Sequence, residues 1–228
     1  MSWFATDAAM VRRLVLKDWQ VYQKQLAGYV AGMLLALGLI GLGHSWAAGA
    51  GALLLLVLLV VVGSYSIQTL LLTERKQQNV PFIMSLPVTP MDVYWGKLLA
   101  NLAIYLVPFT VVAGGMIAMV LSTPMPDGLV VWTVLIAAFL LTSFCVLLCV
   151  AISCSSEGWN IFTMIALMTL VGPFILWVTR SRQVGLDLEG ESLVFGPVAI
   201  GLLAADVLVV VIAIGVTSWL HARKSSFL

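Results

Sequence analysis

The stretch from Glu74 to Lys97 reads ERKQQNVPFIMSLPVTPMDVYWGK and separates two long apolar runs. It begins with a charged cluster, continues through a short apolar piece and then turns at Pro87 and Pro90. A residue that precedes proline is pushed out of the α-helical region, whereas proline itself is tolerated in the first turn of a helix. The stretch therefore predicts a short helix, a tight turn and a new helix that begins near Pro90, with Thr89 as its N-cap.

The rest of the chain is too apolar for a soluble domain. Of its 228 residues, 62% are hydrophobic and 9% are charged, whereas soluble domains carry about 25% charged residues. Six apolar runs are each long enough to cross a hydrocarbon core, which takes about 20 residues. They lie near residues 25–43, 49–72, 98–121, 129–152, 159–178 and 198–220. We expect an all-α integral membrane protein with six transmembrane helices in a single domain over residues 1–228.

The segment before the first run, residues 1–24, has the pattern of an amphipathic helix. One helical face carries apolar and aromatic residues, and the basic residues lie elsewhere. The apolar set is Val11, Leu14, Val15, Trp19 and Tyr22. This pattern is typical of a helix that lies in the membrane interface. The alternative is that the segment is only the polar start of the first span.

Basic residues predict the orientation of the chain in the membrane. With the N-terminus inside, nine of the 11 basic residues lie on the cytoplasmic side, and only Arg180 and Arg182 lie outside. Lysine and arginine accumulate in cytoplasmic loops, so we expect both termini to be cytoplasmic, in a cell (inner) membrane. The outer segment, residues 179–197, mixes apolar and acidic residues and predicts an extracytoplasmic cap, which either dips into the membrane or forms a plain solvated loop.

Known catalytic and metal-binding motifs are missing from the sequence. It contains no phosphate-binding glycine-rich motif and no zinc or nucleophile motif, so we expect no catalytic residues and no metal site. Cys145 and Cys149 share a helical face but lack a histidine or acid at ligand spacing, which favours small buried side chains. His44 and His221 fall on opposite sides of the membrane. No nucleic-acid partner is expected.

Asp206 is the only acidic residue well inside an apolar run. A charge at that depth costs several kcal/mol unless it is paired, hydrated or neutralised. One interpretation is a polar point in a translocation path or at a dimer seam. The other is a structural bond to a nearby serine, threonine or backbone group, or an ion pair with Arg180 or Arg182.

The stretch described first resembles the first cytoplasmic loop of ABC-2-type transporter permeases. In that family a charged cluster follows the second span, then a Phe-x-x-Ser-Leu-Pro segment, and a Gly-Lys pair opens the third span. The matching residues here are Glu74, Arg75, Phe82, Ser85, Leu86, Pro87, Gly96 and Lys97. The family also has an interfacial "elbow" helix before its first span, which fits residues 1–24.

The resemblance implies a permease subunit of an ABC transporter, with export as its direction. Its partners would be membrane lipid, a second permease copy or paralogue, and two separate ATPase subunits that bind ATP and Mg²⁺. Residues 73–97, named here the coupling loop, would carry the coupling helix that docks on the ATPase. Within this loop, Phe82, Ile83 and Leu86 would be apolar anchors. Ser85 and Pro87 would end the helix, and Glu74 and Arg75 would brace its base.

An ion-coupled secondary transporter is the alternative. That class needs intramembrane acids or broken helices at its ion site. Asp206 and the Gly172-Pro173 pair near the outer end of the fifth run are the features that fit it. A proline there either kinks or ends the helix.

Overall fold

The computed structural model describes residues 8–73, 90–123, 126–154, 156–181 and 195–223, all of which are helical or lie between helices. Six helices are long and apolar enough to cross a membrane. They are α1 (Ala8–Gly41), α2 (Ser45–Ile67), α3 (Pro90–Ser122), α4 (Gly128–Ser153), α5 (Glu157–Arg180) and α6 (Pro197–Arg223). The six predicted spans are confirmed, each within a longer helix or a helix shifted by a few residues.

The helices alternate in direction between two faces of the bundle. On one face, named here the N-terminal face, the start of α3 meets the end of α6: the Tyr94 hydroxyl donates to the Ile214 carbonyl oxygen at 3.5 Å, and the Tyr94 and His221 rings lie 4.9 Å apart. On the opposite face, the start of α4 meets the end of α5, where the Trp132 indole donates to the Thr179 hydroxyl at 3.3 Å. Near the start of α3, Lys97 also contacts Asp18, which lies in the first half of α1, at 2.9 Å. Helix α1 therefore begins on the face where α6 ends.

Helix α1 is continuous over 34 residues. At 1.5 Å per residue it is about 51 Å long, well beyond the thickness of a hydrocarbon core of about 30 Å. The predicted separate interfacial helix over residues 1–24 is therefore not confirmed, because the described part of that segment continues without a break into the first span. The reason is packing: Leu14, Asp18 and Tyr22 recur every four residues on one face, and that face contacts α3.

The structure settles details of two helix ends that the apolar pattern left open. Helix α2 closes with a π-helical segment, Gln68–Thr73, which the apolar pattern did not indicate. Helix α5 contains Pro173 but runs on to Arg180, so the proline does not end it. Helix α3 begins at Pro90 with Asp92 in its first turn, as the proline pattern predicted. Thr89, the expected N-cap, lies outside the described residues.

Helix α4 is the most buried of the six and forms the centre of the bundle. The Phe144 ring of α4 stacks on the Tyr105 ring of α3, with the ring centroids 3.9 Å apart and the ring planes within 9° of parallel. Gly63 of α2 faces this pair, and a Cβ there would lie 3.0 Å from the Phe144 ring. Helices α2, α3 and α4 are thus drawn closely together at this level. By contrast, α5 and α6 are largely exposed in the single chain.

Candidate functional site

The predicted ATPase-coupling residues lie in the part of the coupling loop that the structure does not describe, residues 74–89. They are Glu74, Arg75, Phe82, Ile83, Ser85, Leu86 and Pro87. Their role and their geometry stay predictions. The described chain leaves α2 through its π-helical end at Thr73 and returns at Pro90. Since α3 begins on the N-terminal face, the loop starts and finishes on the side where α1 begins and α6 ends.

The cap predicted for residues 179–197 is described only at its two ends, Thr179–Ser181 and Phe195–Pro197. Both ends lie at the termini of helices, Arg180 closing α5 and Pro197 opening α6. Residues 182–194, including Arg182, lie outside the described part of the chain, and their expected form as a cap stays a prediction.

Asp206 lies on α6, in partial contact with α4. Its carboxylate interacts with the hydroxyl of Thr142, which is 9% exposed. Counting from Pro197 at 1.5 Å per residue, Asp206 lies about 14 Å from the start of α6. This is near the middle of a membrane-spanning segment. Of the alternatives raised by the sequence, the structure shows a neighbouring threonine that interacts with Asp206. The residue as a whole is partly exposed.

A buried ion pair that sequence reasoning missed joins α1 to α3. Lys97 donates through Nζ to the Asp18 Oδ2 atom at 2.9 Å, and the two side chains are 12% and 2% exposed. Lys17 Nζ lies 3.3 Å from the second carboxylate oxygen, Oδ1, but is half exposed. That contact lacks hydrogen-bond geometry, since Oδ1 has no hydrogen-bond partner among the described residues. The Asp18–Lys97 pair is therefore the close, desolvated one.

Two more polar side chains, Asn101 on α3 and Tyr22 on α1, lie about one helical turn from this pair. Asn101, one turn beyond Lys97, donates from Nδ2 to the Lys97 carbonyl oxygen at 2.9 Å. Its Oδ1 atom and the Tyr22 hydroxyl are both buried with no hydrogen-bond partner in the described ranges. A buried polar atom left in this state costs about 1–3 kcal/mol. We name Asp18, Tyr22, Lys97 and Asn101 the α1–α3 polar cluster. This cluster lies close to the N-terminal face in an otherwise apolar interface, and its unpartnered buried atoms reduce the stability of the fold.

A sequence signal for this cluster exists. Asp18 is four residues from both Leu14 and Tyr22, so it interrupts the apolar stripe of α1 with an acid. A carboxylate on an apolar helical face needs a cation from a neighbouring element. Lys97, which follows Gly96 near the start of the third span, is the basic residue placed to provide it. At Gly96 the helices approach so closely that a Cβ would lie 3.0 Å from the Leu14 side chain.

The cysteine and histidine side chains of the described residues lie on or beside three different helices. Cys145 and Cys149 are free and buried, as expected for small core residues. His221, on α6, lies with Nδ1 3.1 Å from the Thr217 carbonyl oxygen, whereas His44 lies next to the start of α2 on the opposite face. Across the described ranges, no group of three or more histidine, cysteine and acidic residues could hold a metal ion.

Comparisons with known proteins give no family for this chain. It matches no protein-family model, no curated protein and no solved structure.

Proposed function

We propose that this chain is the membrane-embedded permease subunit of an ABC-type exporter. The observation that carries the proposal is the position of the coupling loop. Residues with the order found in ABC-2-type permeases, from Glu74 to Pro87, connect two membrane-spanning helices on the face where the first helix begins and the last ends. In this proposal the loop would face the same compartment as the start of α1 and the end of α6.

The proposal requires separate ATPase subunits. The chain contains no phosphate-binding motif of its own, so hydrolysis would occur on two partner ATPases that bind ATP and Mg²⁺. A second permease copy or a paralogue would complete the membrane part. The broad exposed apolar surfaces of α5 and α6 are available to lipid or to that second subunit. The membrane would be the cell (inner) membrane, with both termini cytoplasmic.

The α1–α3 polar cluster supports a path from the loop into the membrane. Lys97 lies two turns into α3, just beyond the coupling loop's return at Pro90. Its pairing with Asp18 ties α3 to α1 at that end. A displacement of the loop on nucleotide-driven closure of the ATPases would therefore move α1 and α3 together. Breaking the pair would let α3 move without α1.

The transported molecule would be lipid-like, peptide or drug-like. The described membrane-spanning helices are mostly apolar, and Asp206 is the acid deepest within them. In this proposal Asp206 and Thr142 form a polar point along the path or at the seam between two permeases.

An ion-coupled secondary transporter is the second candidate, and Asp206 is the observation that favours it. A partly exposed aspartate about halfway through a span can bind and release a proton or cation. This candidate needs no ATPase partner, which makes the two proposals separable.

Co-purification tests the proposal. The tagged chain is expressed with any ABC-type ATPase that is encoded next to it, and the proteins are extracted in mild detergent. We expect a stable complex with two ATPase copies per assembly, whose hydrolysis rate changes when the permease is present. Purification of the folded permease without any ATPase, together with transport driven by an ion gradient alone, would contradict the proposal and favour the second candidate.

A further inference from the structure

Helices α2, α3 and α4 converge toward the N-terminal face and separate toward the opposite face. The convergence lies at Gly63, where a Cβ would lie 3.0 Å from Phe144 and 3.2 Å from Tyr105. One to three turns nearer the opposite face, the same helices line a half-open cavity of about 250 Å³. The close contact at Gly63 and the cavity are therefore related: the three helices pack closely at Gly63 and leave space between them nearer the opposite face.

Four helices supply the walls of the cavity, and nearly all of the lining is apolar. The lining residues come from α2 (52–59), α3 (109–116), α4 (132–140) and a single position on α5, Ile175. Alanines at three wall positions leave the space open: Ala52, Ala113 and Ala137. An apolar cavity of roughly 150 Å³ stays dry and binds small hydrocarbons, so a cavity of this size favours an apolar occupant.

The few polar groups of the wall are already bonded within the protein. The Trp132 indole donates to the Thr179 hydroxyl at 3.3 Å. The Thr133 hydroxyl donates to the Leu129 carbonyl oxygen at 2.9 Å, within its own helix. Neither group needs a polar ligand, so the cavity selects for hydrocarbon.

The cavity is elongated along the helices and lies at a single depth. On α2, α3 and α4 the lining covers eight to nine residues, which is about 11–12 Å at 1.5 Å per residue. Measured from the helix ends at the opposite face, it begins about 6–10 Å inside the bundle on every wall. A hydrocarbon core is about 30 Å thick, so one leaflet contributes about 15 Å. The cavity therefore covers the depth that a single acyl chain of the leaflet at this face occupies.

The cavity is open sideways rather than toward water. Leu53, on its α2 wall, is 68% exposed in the bundle, and Ala52 beside it is also exposed. In a membrane these positions contact lipid. We propose that the cavity is a binding site for one acyl chain of a membrane phospholipid, which enters laterally from the leaflet at the opposite face and lies parallel to α2, α3 and α4. The proposal stands whether or not the chain partners an ATPase.

Photolabelling in vesicles tests the proposal. The protein is reconstituted in phosphatidylcholine that contains a fraction of phosphatidylcholine with a diazirine in the middle of one acyl chain, and adducts are mapped by peptide mass spectrometry. We expect adducts on residues 109–116 and 132–140 to exceed those on the freely exposed face of α6, residues 207–212. Ala137→Phe fills the cavity with a ring and should lower the wall adducts by about tenfold.

Two further variants complete the test. Ala113→Leu fills the cavity from α3 and should act in the same direction, which keeps the test valid if Ala137→Phe does not fold. Ala204→Phe adds the same ring on the exposed face of α6 and should leave the wall adducts unchanged. Wall adducts no more frequent than those on residues 207–212, or equally frequent in the wild type and in the folded filling variants, would overturn the proposal.

Discussion

Asp18 carries a charge into the contact between α1 and α3, where its side chain is 2% exposed. Desolvating a carboxylate and an ammonium costs several kcal/mol for each ion, and the attraction between them offsets this only when the geometry is close. At 2.9 Å the Lys97–Asp18 contact is close. The pair as a whole therefore need not add to the free energy of unfolding, but removing only one of its two charges should destabilise the protein strongly.

Asp18→Asn should destabilise the bundle by about 3–5 kcal/mol, because it removes the buried carboxylate that the Lys97 ammonium contacts at 2.9 Å. The measurement is unfolding in mixed detergent micelles. Lys17→Gln is the matched control: it removes the half-exposed partner of the same carboxylate and should cost less than about 1 kcal/mol. Removing both charges, with Asp18→Leu and Lys97→Met together, should recover most of the loss. Equal effects of Asp18→Asn and Lys17→Gln would contradict the description of the cluster.

Asp206→Asn should impair transport more than assembly. The substitution keeps the size of the side chain and its ability to bond to Thr142, but removes the charge. The measurement pairs the yield of assembled complex with the hydrolysis that transport stimulates. If the complex assembles normally and stimulated hydrolysis equals that of the wild type, Asp206 has only a structural role.

At the scale of elements, close helix approach is decided by particular glycines. Gly51 of α2 lies against α1, where a Cβ would meet the Ala36 carbonyl oxygen at 2.7 Å and the Ile40 side chain at 2.6 Å. Gly49, two residues earlier on the same helix, has no atom within 4 Å of such a Cβ. The backbone oxygen at Ala36 cannot rotate away, so only one of these two glycines is required by packing.

Gly51→Ala should therefore destabilise the bundle by about 1–3 kcal/mol through overpacking. Gly49→Ala should be neutral or stabilise by up to about 1 kcal/mol, since alanine favours the helix more than glycine does. Both variants are compared by the same detergent unfolding measurement. A loss in Gly49→Ala as large as in Gly51→Ala would mean that the α1–α2 contact is not as close as described.

Element positions followed from the sequence where one physical requirement dominated. A run of about 20 apolar residues is long enough to cross the hydrocarbon core as a helix, so all six spans could be predicted. The start of α3 at Pro90 could also be predicted, because the fixed φ of proline suits the first turn of a helix. The continuous helix α1 was not predicted. The sequence pattern of an apolar stripe is the same whether the stripe faces lipid or another helix. The role of Asp18 within the stripe could be recognised only when the structure placed Lys97 next to it. The π-helical end of α2 leaves no pattern in side-chain hydrophobicity.

The candidate site was predictable only as a pattern of residue types. Asp206 was identified by its isolation in an apolar run, and the structure adds Thr142 as its neighbour. The α1–α3 polar cluster and the acyl-chain cavity depend on how helices distant in sequence are placed against each other. The hydrophobic periodicity of a single helix does not predict how far apart α2, α3 and α4 lie at the opposite face.

For the whole molecule, the distribution of basic residues predicts the orientation of the bundle. The positive-inside rule predicts that the N-terminal face is cytoplasmic, because most lysines and arginines lie at that end of the spans. In a variant without the native cysteines, single cysteines introduced at Gly185 and Asp127 should react with an impermeant thiol reagent added from outside. Cysteines at Gln78 and Ser226 should react only after the membrane is permeabilised. Labelling of position 78 from outside would reverse the orientation.

Docking of an ATPase on the coupling loop is the central claim of the proposed function, and the affinity between the purified permease and the ATPase in detergent tests it most directly. Truncating an aromatic anchor at an interface commonly costs about 2 kcal/mol or more, which is about a 30-fold loss of affinity. We predict that loss for Phe82→Ala, with the six spans still inserted, and affinity close to wild type for Gln78→Ala. Wild-type affinity and stimulated hydrolysis in Phe82→Ala, and again in the Ile83→Ala, Leu86→Ala double variant, would contradict the claim.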